Sequence, residues 1–198
     1  MLTVMIWMGC AGAPEPEPAP EPAPTADPAL REIEAVQAAE SAAKAAGGAL
    51  KERLLAAMAE GGPEGAVTAC ADEAQGLTAL ALAGTGARAG RASLRTRNAR
   101  NTGPDWVQAW LTEQGERPAA GVQKLSAAHI DGDTVVGRFI APIAVGGVCL
   151  TCHGPAEAIP AEVQAVLASR YPDDKATGYA EGDLRGALWA EVRLPVSP

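Results

Sequence analysis

Cys149-Leu150-Thr151-Cys152-His153 is a C-x-x-C-H run. Each thiol can add to one haem vinyl group and form a thioether. Two intervening residues place both sulfurs under one porphyrin edge as a helix begins. The next residue, His153, then reaches the iron as the proximal ligand. The run therefore points to one covalently bound haem c. Two other chemistries use a C-x-x-C pair. Structural zinc needs four ligands, usually from two such pairs, and Cys70 and His129 are the remaining candidates. A thioredoxin-like redox pair would leave the adjacent His153 without a role.

The other face of the iron is less determined. Small cytochromes c of the ordinary plan carry the motif near their start and use a later Met as distal ligand. Here the motif lies late, and the four methionines, Met1, Met5, Met8 and Met58, all precede it. A cytochrome c′-like bundle places the motif close to its C-terminus, whereas 45 residues follow His153. The candidates for the distal position are Cys70, His129, Met58 or no protein residue. Cys70 falls on an apolar helical face, where a small core hydrophobe is the ordinary alternative. His129 is expected to be exposed or hydrogen-bonded beside a turn.

The elements that must position these groups show in the periodicity. Residues 29–60 predict helix, with Leu30, Ile33, Val36 and Ala39 as a drifting apolar stripe and Leu50, Leu54, Leu55 and Met58 as a second. Gly47-Gly48 is expected to break or bend it, and Gly61-Gly62-Pro63-Glu64-Gly65 to turn the chain. Val67, Cys70, Ala74 and Leu77 recur at helical spacing over 66–81 and set Cys70 toward the core. Residues 89–96 predict a strand, 104–114 a short helix, and 122–130 with 134–143 a hairpin about Asp131-Gly132-Asp133. Pro160 opens a helix to about Tyr171, and 185–194 is a last strand. Helices followed by a small antiparallel sheet make an α+β pattern.

Composition narrows the setting. Of 198 residues, 47% are apolar and only 4% aromatic, and alanine carries much of the apolar count. A core poor in large side chains would gain from a buried cofactor. The net charge of −8 argues against nucleic acid, whose phosphates need clustered Lys and Arg. Residues 1–10 form an apolar run ending in Gly9-Cys10, similar to the end of a bacterial lipoprotein signal, with Cys10 as the lipidated residue. Residues 11–28 alternate Pro with Ala and Glu, a semi-rigid spacer without a core of its own. Together they imply a periplasmic or cell-envelope protein, anchored by lipid, with the folded domain at 29–198. Haem c maturation on the export side of the membrane agrees with that address.

Several separated motifs resemble one known family. They are Ala66-Val67-Thr68-Ala69-Cys70, the run Arg95-Thr96-Arg97-Asn98-Ala99-Arg100-Asn101 before Pro104-Asp105-Trp106, the haem motif, and Tyr171-Pro172-Asp173-Asp174-Lys175-Ala176-Thr177-Gly178-Tyr179 leading into Gly182-Asp183-Leu184-Arg185-Gly186-Ala187. In this order over residues 30–195 they are similar to the single-c-haem domains with a PAS-like fold that often form the sensor part of histidine kinases. The resemblance implies that Cys70 is the distal iron ligand opposite His153. It also implies a PAS-like antiparallel sheet with long N-terminal helices. With no transmitter domain in the sequence, the state of the haem is expected to pass to a separate redox or signalling partner.

Arg95, Arg97 and Arg100 with Asn98 and Asn101 form a polar cluster. Arg binds carboxylates in a two-pronged fashion, so Arg95 and Arg97 are candidates for a haem-propionate clamp; loop-fixing hydrogen bonds are the equal alternative. Asp183 and Arg185 read as a structural ion pair or turn contact, and Trp106, Trp110 and Trp189 as core or haem-edge packing. No Ser-His-Asp set, phosphate loop or carboxylate pair is apparent. Three functions compete: a redox or gas-responsive haem protein, an electron carrier, and a haem enzyme such as a peroxidase. Protein ligands on both faces of the iron would leave an enzyme no position for substrate.

Overall fold

The computed structural model describes residues 27–197. The lipoprotein-like run with Cys10 and nearly all of the Pro-rich spacer lie outside them. Asp27 caps the first helix, its carboxylate accepting from the Ala29 N–H at 2.9 Å, with Pro28 in the first turn. This helix, α1 (Pro28–Asp72), is interrupted at Gly61 and Gly62, where Gly62 has φ of 62°. That left-handed conformation suits glycine, and the expected turn is found there. The two arms fold back on each other. Ala57, Ala66 and Ala69 pack together with Leu54 and Met58, and Arg53 grips the Glu73 carboxylate at 2.6 and 3.0 Å. Helix α2 (Ala74–Ala81) follows.

Gly47-Gly48 does not break the helix. Gly47 lies in an intact turn facing Leu188, where a Cβ would stand 2.8 Å from a methyl carbon. The buried stripe also differs from the one the large residues suggest. Leu30 and Ile33 are 63% and 54% exposed, and the buried face is Ala35, Ala39, Ala42, Ala43 and Ala46. Small side chains let α1 lie close on the sheet, against Phe139, Ala190 and Val192.

The sheet is antiparallel, in the order β1-β4-β3-β2, formed by β1 (Arg88–Ala92), β2 (Leu125–Asp131), β3 (Thr134–Ala144) and β4 (Leu184–Pro195). The hairpin β2–β3 closes with Asp131 opposite Thr134, around Gly132-Asp133. The central strands β3 and β4 are buried on both faces. Phe139 and Ala190 meet α1, while their neighbours Ile140 and Trp189 meet α3 (Asp105–Gln114) through Val107, Trp110 and Leu111. Trp106, Trp110 and Trp189 are therefore core packing, with Trp106 edge-on to Trp189. Strand β1 ends sooner than its pattern suggests. The Ser93 hydroxyl turns inward, donates to the Arg185 carbonyl at 2.8 Å and accepts from the Arg95 N–H at 3.1 Å, which draws the chain out of the ladder. Among the described residues no helix is long and apolar enough to cross a membrane. The architecture is the expected α+β one, a long N-terminal helix on an antiparallel sheet.

Candidate functional site

The C-x-x-C-H run sits after β3, where a short turn (Gly147–Cys149) leads into α4 (Leu150–His153). The loop between α5 (Ala161–Arg170) and β4 holds it from behind. Tyr179 N–H donates to the His153 carbonyl at 2.9 Å, and Gly178 N–H to that of Gly154 at 2.7 Å. The loop rests on buried Val145, Ala176 and Tyr179, with Cys149 and Leu150 packed beside them. Cys152 packs on Val67, Ile159, Val163 and Leu167.

His153 is fixed in tautomer by this loop. Its Nδ1 lies 2.6 Å from the Ala176 carbonyl. A carbonyl only accepts, so Nδ1 carries the hydrogen and Nε2 keeps its lone pair. Burial, with the positive charges of Arg97 and Arg185, pushes the imidazole pKa down to about 3. His153 is therefore a neutral base across physiological pH, the form that binds a metal. Tyr179 stands edge-on to it and carries Arg95 and Arg185 on its ring, 4.2 and 5.3 Å from the centroid.

One cavity of about 260 Å³ unites the sequence-predicted groups. Cys149, Cys152 and His153 line one part. Leu54, Met58, Val67 and Cys70 of the α1 hairpin line another. Cys70, Cys149 and Cys152 are all free thiols. Burial pushes the Cys70 thiol up, while Arg91 and Arg97 pull it down. No three of the described His, Cys, Asp and Glu residues converge on a point that could hold a bare metal ion. The donors face one shared space instead of closing a tetrahedron, which disfavours structural zinc. His129 is exposed on β2, away from the cavity. Of the candidate distal ligands, the fold brings Cys70 and Met58 to the site.

The two arginines expected at propionates are already engaged. Arg95 is absent from the cavity lining and bonds the carbonyls of Lys175, at 3.2 Å, and Thr177. Arg97 does line the cavity, but its guanidinium pairs with Asp174 at 2.9 Å and donates to the carbonyls of Cys152 and Ala176. Arg97 therefore braces the motif and the acceptor that orients His153. Asp183 makes a turn contact, accepting from the Ala180 N–H at 2.7 Å, and Arg185 donates to the Ser93 hydroxyl instead of pairing with it. Arg97 and Asp174 are 11% and 12% exposed in their side chains. Replacing Asp174 by Ala leaves a nearly buried guanidinium without its partner. It is expected to destabilise the fold by about 3 kcal/mol, read as a lower urea midpoint at unchanged slope; a loss below about 1 kcal/mol would refute the brace.

Sequence reasoning passed over Arg91, which lines the cavity beside Cys70, and the Ala176 carbonyl. Arg91 was detectable as a fourth arginine, close to the polar cluster of Arg95, Arg97 and Arg100. A backbone acceptor leaves no mark in side-chain identity.

The family model Tll0287-like, described as Tll0287, matches residues 26–195. No curated protein matches the chain. Among solved structures, the crystal structure of the cyanobacterial haem protein Tll0287 is similar at 26% identity, with a TM-score of 0.46. That alignment covers 64% of this chain and 71% of that one. The family match runs through every element from α1 to β4 and includes both walls of the cavity, so the chain belongs to the Tll0287-like family.

Proposed function

We propose that the chain carries one haem c, attached through Cys149 and Cys152 and ligated by His153 and Cys70, and acts as a redox or gas-responsive protein that passes its state to a partner. The observation that carries this reading is the shared cavity: two free thiols at haem-attachment spacing, a neutral histidine with Nε2 available, and a further thiol from a distant helix. The donor set fits the group. Arginines line the space and no carboxylate among the described residues does, which suits a macrocycle with two anionic propionates. Membership in a family named for a haem protein supports the same reading. Bound haem supplies an iron centre that exchanges one electron.

The residues divide the remaining work. Cys149 and Cys152 fix the cofactor's edge. The Ala176 carbonyl holds the His153 ring and raises its basicity as a ligand. Cys70 gives a thiolate, which favours ferric iron, and the arginines around it offset the cost of that negative charge. Cys70 is favoured over Met58 by the family resemblance and by this cationic surrounding. The proposed address is the periplasm or cell envelope, with Cys10 lipidated; a Cys10→Ser chain that stays in the membrane fraction would refute the anchor.

Maturation of the full chain in a c-haem export system, followed by oxidised and reduced spectra after denaturing extraction, tests the attachment. Replacement of Cys70 by Ala is expected to keep covalent haem, raise the reduction potential and open the iron to carbon monoxide. An unchanged spectrum and potential would refute Cys70 as ligand. If the unmutated protein keeps the same ligation in both oxidation states and excludes carbon monoxide, the electron-carrier reading replaces the sensory one.

A further inference from the structure

The cavity is basic although the chain is acidic. Arg91, Arg97 and Arg185 line it, and no Asp or Glu among the described residues does, in a protein of net charge −8. Two of the three guanidiniums are committed elsewhere. Arg97 is held by Asp174 and two carbonyls. Arg185 donates to the Ser93 hydroxyl at 2.8 Å and the Arg95 carbonyl at 3.1 Å. Arg91 differs. It sits half-buried on the edge strand β1, opposite Leu188. Its side chain makes no ion pair or hydrogen bond among the described residues, although most other arginines of the fold do. It lines the same cavity as Cys70, His153 and Tyr171, so it faces the space shared by the proposed iron ligands.

A guanidinium beside apolar walls loses hydration, and an anion with two oxygens in its fork restores what was lost. On the haem reading above, we propose that Arg91 is the residue that binds a haem propionate. The anionic edge of the cofactor is thereby directed toward the end of β1. Arg95 has no part in this, because its guanidinium is tied to the loop behind the motif.

The test uses the matured full-length holoprotein and three variants. Arg91→Gln is expected to keep covalent haem and both axial ligands. It should shift the propionate bending band in resonance Raman and lower the equilibrium constant for reduction about tenfold, because a positive charge near the iron is gone. Arg91→Lys should move the band, since an ammonium replaces the fork, yet leave the reduction constant near that of the parent. Arg95→Gln should leave the propionate band in place. A propionate band unmoved in both Arg91 variants, or moved equally by Arg95→Gln, overturns the assignment. If Arg91→Gln does not mature, the band of Arg91→Lys decides alone. Absence of haem from the unmutated chain, where a control cytochrome matures, is read before any variant is made; it refutes the haem reading and this assignment with it.

Discussion

A chain carrying both Cys149→Ala and Cys152→Ala is expected to come out of acidified organic extraction colourless, whereas the parent keeps its c-type spectrum. On the proposed attachment the loss is complete, because thioethers survive denaturation and iron ligation by side chains does not. Each single variant retains one thioether and is expected to stay coloured, with a reduced spectrum altered by the unsaturated vinyl group. The pair also separates attachment from ligation. In neutral buffer the double variant keeps His153 oriented by the Ala176 carbonyl and Cys70 on the other wall, so it should still bind haem reversibly. Colour that survives extraction in the double variant would place the attachment elsewhere.

Replacing Gly137 by Val is expected to prevent stable folding, or to cost about 3 kcal/mol or more where the protein still folds. A Cβ at this position would lie 2.3 Å from the carbonyl carbon and oxygen of Ala35, and 2.7 Å from its side chain. Those first two atoms are backbone, so no rotamer change relieves the overlap. Either α1 lifts off β3, or the buried alanine contacts with Phe139 and Val192 open. Gly137→Ala should already lower the urea midpoint clearly. A midpoint within error of the parent would show that the helix can slide on the sheet at little cost.

The side chains that line the cavity were more legible in the sequence than the packing. A C-x-x-C-H run and a cysteine at a helical core position both stand out as local patterns, and the fold brings Cys70, Cys149, Cys152 and His153 to one space. The α+β order, the β2–β3 hairpin and the α1 turn at Gly61-Gly62 were legible because turn residues and period are local signals. Local signals misplaced the buried face of α1. Leu30 and Ile33 look like core residues, yet the sheet takes the alanine side, since only Cβ-sized groups permit the approach Gly137 allows. For Arg95 and Arg97 a propionate clamp and loop-fixing hydrogen bonds were equal alternatives, because composition does not reveal which backbone carbonyls a loop will present. Tertiary structure placed the loop of residues 174–177 beneath them, and both guanidiniums went to it.

The folded-back α1 has a topological meaning when set against the motif. Cys70 comes from the second arm of that hairpin, and His153 follows β3 on the far side of the sheet sequence. On the proposed ligation, iron bonds to both residues tie together points roughly 80 residues apart, as a disulfide would, and a covalent cross-link of that span removes about 4.5 kcal/mol of chain entropy from the unfolded state. The metal would then be a fastener as well as a redox centre. Breaking the Cys70 bond would release the hairpin arm from the rest of the domain, and a change at one atom would become a change in how tightly the whole molecule is laced.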